Sequence, residues 1–132
     1  MRIRSLGDGD VDVCVALART VAWRTDERWW RAMLRLGEGF GIVRDGGELI
    51  GTVIVNHFGV GLATIAMMIV HPAHQRRGHG RRLMARALEN AKGALVYLFA
   101  TDDGRALYEP LGFVAGGASV RLEGLAKAGL PE

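Results

Sequence analysis

The sequence predicts a mixed α/β domain with about six to seven strands in one central sheet and about four helices on both faces of it. Three observations support this prediction. Residues 63–70 form an almost wholly apolar run, which is typical of a central strand buried on both faces. A helical pattern follows, and a second apolar run at 94–100 then implies a right-handed parallel crossover. Around Asp45-Gly46-Gly47 the turn chemistry indicates an antiparallel hairpin, so the sheet should be mixed.

Local patterns place the remaining elements along the chain. Residues 2–6 alternate polar and apolar as a strand does, and Asp8 or Asp10 can cap the helix that follows. A second helix is predicted from about Asp26 to Leu36, where Gly37 stops it. The other predicted elements are hairpin strands over 40–44 and 48–56, a helix that opens within residues 75–80 and closes at Gly93, a short helix from Thr101 or Asp102 to Leu111, and closing strands at 112–114 and 119–122.

Length and composition bound the class of protein. The 132 residues fit one domain with one core, which we assign to residues 1–123, while residues 124–132 form a tail that resembles a linker or a simple chain end. No apolar run reaches the ~18 residues needed to span a bilayer, so we expect no membrane partner. The N-terminus lacks the apolar segment of a signal peptide, and Cys14 is the only cysteine. These features predict a cytoplasmic protein.

Two groups of side chains in the first helices have both a structural and a functional interpretation. Cys14 lies on the apolar stripe of the first helix, which favours a packing thiol over a nucleophile. Trp23, Trp29 and Trp30 cluster around the second helix. They either pack in the core or line a substrate pocket, since aromatic side chains are common in both places. We take Trp23 and Trp30 as candidate substrate residues.

The segment after the central apolar strand predicts an anion site. Gly78 and Gly80 open a helix directly after the strand, and the orphan N–H groups and positive dipole end of such a helix attract phosphate. Glycines allow a pyrophosphate to approach the backbone closely, and flanking arginines can add charge-assisted hydrogen bonds. The segment has neither the Lys-Ser/Thr ending of a Walker loop nor the third glycine of a dinucleotide fingerprint.

Two ordered motifs resemble those of the GNAT superfamily of acyl-CoA-dependent N-acyltransferases. The run from Val70 to Gly80, VHPAHQRRGHG, is similar to its Q/R-x-x-G-x-G/A signature and the V-x-P before it. The run from Leu107 to Phe113, LYEPLGF, is similar to its late L-Y-x-x-L-G-F segment. The resemblance covers most of residues 40–123 and implies the GNAT-type mixed sheet, with acetyl-CoA as co-substrate.

The resemblance also implies roles for particular residues. The main chain of Met68, Ile69 and Val70 would pair with the pantetheine arm, and Tyr108 would protonate the departing thiolate as a general acid. A packed Tyr108 behind Gly112 is the structural alternative. The pyrophosphate would be held by the main chain of Gln75, Arg76, Arg77, Gly78, His79, Gly80 and Arg81. A neutral amine would attack the acyl carbonyl directly, with no covalent intermediate.

The sequence departs from the family pattern at two positions. Many relatives carry a carboxylate on the fourth strand to relay a proton from the amine, but residues 64–68 are Thr-Ile-Ala-Met-Met. Asp26, Glu27 or His57 could serve through water, or the amine could arrive deprotonated. Thr101 stands where the family often has an Asn that contacts pantetheine. The histidines of the glycine turn flank a phosphate loop without Cys or acidic ligands, so we expect no metal.

Three functions follow from these observations. The leading one is an N-acetyltransferase acting on a small-molecule or protein amine, as a monomer or homodimer. The alternative is a non-catalytic acyl-CoA-binding module that serves a partner domain. A nucleic-acid binder is disfavoured, because the net charge is only +3 and the arginines surround a glycine turn without interleaved aromatic side chains.

Overall fold

A computed structural model describes residues 1–102 and 104–117 of the chain. Within these residues it has five strands and four helices. The strands are β1 (Arg2–Leu6), β2 (Glu38–Val43), β3 (Leu49–Phe58), β4 (Leu62–Val70) and β5 (Leu95–Leu98). The helices are α1 (Val11–Thr20), α2 (Glu27–Leu36), α3 (His79–Asn90) and α4 (Arg105–Tyr108). None of the helices in the described residues is long and apolar enough to cross a membrane.

The strands form one mixed sheet in the order β1-β2-β3-β4-β5. The first three pairings are antiparallel, and β4 pairs with β5 in parallel through the crossover helix α3. This arrangement confirms the predicted mixed fold. The sheet has fewer strands than expected: the strand predicted at 112–114 is wrong, because Gly112 is left-handed (φ 96°) after the 3-10 turn Glu109–Leu111 and irregular backbone follows. The strand predicted at 119–122 lies outside the described residues.

Helices cover both faces of the sheet. On one face, α1 and α2 bury Cys14, Leu17, Trp30 and Leu34 against β-strand residues that include Ile54 and Ile69. On the other face, α3 buries Leu83, Met84 and Ala87 against Ile50, Val53 and Val55. Each helix has the amphipathic spacing that lets one stripe face the sheet. The α1–α2 loop and the first turn of α3 lie at the same end of the sheet, because α1 runs parallel to β4 and α3 begins where β4 ends.

Candidate active site

The two edges of β4 are paired to different extents. β5 pairs with β4 only from Leu62 to Ile65, opposite Leu95–Leu98. Farther along, β4 continues to Val70 with β3 on one edge, and no described strand pairs with the other. The predicted pantetheine residues Met68, Ile69 and Val70 all lie on this stretch. An unpaired strand edge offers main-chain donors and acceptors to any extended ligand that lies along it.

A β-bulge at Met67 begins this open stretch. Thr52 pairs with Ile69 and Ile54 with Ala66, so the single residue Val53 faces the two residues Met67 and Met68. Met67 has φ 54°, which is uncommon for a residue with a side chain. The extra residue also changes the face: Ala63 and Ile65 pack on the α3 side, while Met67 and Ile69 pack on the α1–α2 side. The bulge therefore separates a paired half of β4 from an open half.

The loop from β4 to α3 exposes a run of amides at the same end of the sheet. The Gln75 side-chain amide donates to the Val70 carbonyl at 3.0 Å and ties the loop to the end of β4. Arg76 (φ 63°) and Gly78 (φ 84°) are left-handed, and Gly78 is the N-cap of α3. No described main-chain carbonyl accepts from the amides of residues 75–78, and those of 79–81 belong to the first helical turn. Such a turn is suited to bind an anion.

The two glycines of the turn have different surroundings. A Cβ at Gly78 would meet no heavy atom within 4 Å, so the space above this left-handed residue is open. A Cβ at Gly80 would lie 3.3 Å from Leu107 Cδ2 and 3.8 Å from Val70 Cγ2. The space above Gly80 thus belongs to α4 and not to a phosphate. Gly80 lets the helix that carries Tyr108 pack against α3.

Positive charge surrounds the amide turn without internal compensation. The guanidinium groups of Arg76, Arg77 and Arg81 form no ion pair or hydrogen bond among the described residues. The Arg82 guanidinium donates to the Met1 carbonyl at 3.4 Å. Unpaired guanidinium groups beside exposed amides favour phosphate. The local charge agrees with the predicted anion site.

His79 is a buried polar residue in the first turn of α3. Its side chain is 8% exposed, and neither ring nitrogen has a hydrogen-bond partner in the described part of the chain. Burial, followed by the charges of Arg82, His74 and Arg77, lowers the pKa of the imidazole. The lowered pKa favours the neutral imidazole at pH 7, whose N–H has no described partner. His74 Nδ1 is likewise buried without a described partner.

The short helix α4 places Tyr108 beside this turn. Leu107 contacts the first turn of α3, and the adjacent Tyr108 is 8% exposed with its ring edge-on to Phe113 at 6.0 Å. Burial raises the pKa of its phenol, which keeps the proton on the hydroxyl at neutral pH. No described residue forms a hydrogen bond with this hydroxyl. The Thr101 hydroxyl forms a local hydrogen bond, in which it accepts from the Gly104 amide at 3.2 Å.

The tryptophans of the first half occupy three different environments. Trp30 is fully buried between α1, α2 and the sheet, and its Nε1 donates to Thr25 Oγ1 at 2.9 Å, so it is a core residue. Trp23 is half-buried and lines a cleft of about 580 Å³ in the α1–α2 loop. Trp29, which sequence analysis did not select, is 45% exposed and donates from Nε1 to Met67 Sδ at 3.3 Å. It therefore lies over the bulge.

His57 lies far from these groups. It pairs with Ala63 near the start of β4, about 23 Å along the strand from Val70 at ~3.3 Å per residue. Its Nε2 bonds to Asn90 Oδ1 at 2.8 Å, and Asn90 Nδ2 donates to Glu38. This position, at the other end of the sheet, argues against a role for His57 beside the open half of β4.

Carboxylates are similarly engaged elsewhere. Asp26 caps α2 by accepting from the Trp29 amide at 2.9 Å, and this hydrogen bond lowers the pKa of its carboxyl. Glu27 pairs with Arg31 at 2.9 Å.

Cys14 is fully buried, and burial raises the pKa of its thiol to about 12, in agreement with a packing role. Within residues 1–102 and 104–117, no group of three His, Cys, Asp or Glu side chains is placed to hold a metal ion.

Comparisons with solved structures agree with this geometry. A ribosomal-protein-alanine N-acetyltransferase from Brucella melitensis biovar Abortus 2308 has 25% identity and a TM-score of 0.72, over 93% of this chain and 99% of that one. The ribosomal-protein-S18-alanine N-acetyltransferase from Escherichia coli has 23% identity and a TM-score of 0.78, over 88% and 79%. A protein from Clostridium acetobutylicum described as a predicted acetyltransferase, solved with acetyl-CoA, has 16% identity and a TM-score of 0.74, over 92% and 95%.

A comparison with protein-family models also identifies an acetyltransferase domain. Residues 36–115 match the model described as an acetyltransferase (GNAT) domain, which is more than half of the chain. A comparison with curated proteins gave no significant match. The matched residues contain the open half of β4, the amide turn before α3, and Tyr108. The chain is therefore a member of the GNAT acetyltransferase family, an enzyme that transfers an acetyl group to an amine.

Proposed function

We propose that acetyl-CoA binds in the opening between β4 and β5. Three features of the described residues fit it: the unpaired edge of β4 from Met68 to Val70, the exposed amides of residues 75–81, and the unpaired arginines around them. The pantetheine arm would lie along the strand edge as an added strand, and the pyrophosphate would sit on the amides. Open space above Gly78 supports this placement. Acetyl-CoA supplies the activated acyl group.

Tyr108 is the proposed general acid. In the transfer, the amine nitrogen forms a bond to the acyl carbon, the carbon–sulfur bond breaks, and the electron pair leaves on sulfur. The Tyr108 hydroxyl would give its proton to that sulfur, because the raised pKa of the phenol keeps it protonated and α4 holds it beside the amide turn. Solvent would take the extra proton of the new amide and return one to the Tyr108 phenolate.

We propose no side-chain base for the amine. Asp26 has a lowered pKa, which makes its carboxylate a weaker base, and Glu27 is paired with Arg31. His57 is at the wrong end of the sheet. The amine would therefore bind in its neutral form, drawn from the small deprotonated fraction in solution. Activity should then rise with pH toward the pKa of the free amine.

The proposed acceptor is the α-amine of a protein chain. Two similar structures are named for the alanine of a ribosomal protein, and one of them is 25% identical over nearly its whole length. The cleft beside Trp23 is open, as a chain end would require, and it lies at the same end of the sheet as the amide turn. We keep the predictions of a cytoplasmic location and of a monomer or homodimer.

An acceptor screen monitored by release of free CoA tests this proposal. We expect turnover with short peptides that carry a free α-amine, and none with the same peptides after N-terminal acetylation. A matched set of small amines and peptides with only a lysine ε-amine distinguishes the acceptor classes. Turnover confined to small amines would refute the protein acceptor, and absence of turnover with every amine would refute acetyl transfer by this site.

A further inference from the structure

Thr52 is an unusual residue for the middle of a buried strand. Three polar residues of the described chain are buried: Thr52, Asn56 and His79. Asn56 and His79 each keep a side-chain atom without a partner there, but Thr52 does not. Its hydroxyl, on a side chain with no exposed area, donates to the Met67 carbonyl at 2.8 Å. A buried hydroxyl with one main-chain partner fixes the orientation of that partner.

The partner carbonyl belongs to the bulge. Two residues of β4 face Val53 of β3, so the regular ladder is interrupted at Met67 and its carbonyl needs another donor. The Thr52 hydroxyl is that donor. The bond holds the carbonyl toward β3 while the residue adopts φ 54°.

The orientation of this carbonyl determines that of the next amide. The peptide group between Met67 and Met68 is planar and trans, so its C=O and N–H point in opposite directions. With the carbonyl held toward β3, the Met68 N–H points toward the side of β4 that faces β5. Along that side, β4 has lost its described partner beyond Ile65. The amide is thus directed into the opening proposed for acetyl-CoA.

We propose that Thr52 is a positioning residue for acyl transfer. By holding the Met67 carbonyl, it aims the Met68 N–H at the thioester oxygen, where negative charge develops as the amine attacks. The inference rests on the proposed binding of acetyl-CoA along β4. Thr52 touches no reacting atom, and its effect passes through one rigid peptide group. A donor fixed in advance stabilises the transition state more than the bound substrate.

Thr52→Val tests this inference, since valine has nearly the same shape and lacks the hydroxyl. Loss of an oxyanion donor lowers kcat by about 10²–10³-fold, and a misdirected donor should cost about 10- to 100-fold. We expect that loss in kcat, with the Kd for acetyl-CoA nearly unchanged. Thr52→Ser keeps the hydroxyl and should restore most of kcat. Ile42→Val, which removes one buried methyl group from β2, controls for loss of packing and should keep kcat.

A second readout is independent of turnover. The carbonyl stretch of bound, carbon-13-labelled acetyl-CoA should move to higher frequency in Thr52→Val than in the parent, because a weaker hydrogen bond polarises the carbonyl less. Unchanged kcat and unchanged frequency in a folded Thr52→Val protein would overturn the inference. Should the valine variant fail to fold, Thr52→Cys, with its weak S–H donor, takes its place under the same criteria. A parent protein that does not bind acetyl-CoA would instead refute the proposed site.

Discussion

The two halves of β4 differ in pairing, and only one of them leaves a strand edge open to a ligand. From Leu62 to Ile65 the strand has partners on both edges, and Ile65 is 4% exposed in the core beneath α3. From Ala66 to Val70 it has a bulge, one described partner, and the amide turn at its end. A fully paired strand satisfies its own main chain, whereas an open edge is available to a ligand. Side chains from both halves pack in the core, but only the open half leaves a main-chain edge for the candidate site.

The largest expected effect comes from a pair of tyrosines placed beside the two halves. Tyr108→Phe should lower kcat by about 10²–10⁴-fold, the usual range for general acid assistance, with the Kd for acetyl-CoA nearly unchanged. Tyr97 pairs opposite Thr64 in the paired half of β4 and is 57% exposed, so Tyr97→Phe is the matched control. Steady-state kinetics measure both. Equal turnover of the two variants would remove Tyr108 from the mechanism.

A truncation in the paired half of β4 should lower stability and leave kcat unchanged. Ile65→Ala should lower the free energy of unfolding by about 2–5 kcal/mol, because it leaves a cavity in the core beneath α3. The kcat of the molecules that remain folded should be close to that of the parent. Urea unfolding and kinetics at a temperature where both proteins are folded measure the two quantities. If kcat fell with stability, the two halves of β4 could not be treated separately.

Acetyl-CoA should stabilise the folded protein only through the open half of β4 and the amide turn at its end. Acetyl-CoA at a hundredfold excess over its Kd should raise the free energy of unfolding by ~2.7 kcal/mol. Gly78→Ala should reduce that gain, since a left-handed alanine would shift the amides of the turn. Gly47 in the β2–β3 turn is also left-handed (φ 90°) with open space around it. Gly47→Ala should therefore cost similar stability and leave the gain intact. Thermal melts with and without acetyl-CoA decide between these results.

The smallest effect concerns pH. The folded protein lowers the pKa of His79 below its value of about 6.5 in the unfolded chain. The unfolded chain then takes up the proton first, so this contribution to stability is fully present above pH ~6.5 and is lost as pH falls toward the folded pKa. His79→Gln should flatten the dependence of the free energy of unfolding between about pH 7 and pH 5. Denaturant titrations across that range would show an unaltered slope if burial of His79 were unimportant.

The elements near the glycine turn were predictable because their signals are local. The apolar run of β4, the helix start at Gly78, and the motif around Tyr108 each lie within about ten residues. Backbone preferences and hydrophobic period act over that distance. The strand predicted at 112–114 is absent because the apolar pattern of Phe113 and Val114 favours a strand, but the left-handed Gly112 that ends the 3-10 turn redirects the chain.

Only the tertiary structure decided which side chains meet. Trp29 and Trp30 are neighbours in sequence, yet one helical step places Trp30 in the core and Trp29 over Met67. The bulge in β4 arises from pairing with β3, and the register of that pairing cannot be predicted from the sequence of either strand alone. Thr52 and Met67 are 15 residues apart, and Gly80 and Leu107 meet only because two helices pack. The sequence by itself determined the family and predicted an anion-binding turn before α3. The fold decided the rest, because contacts between distant residues depend on the complete packed arrangement.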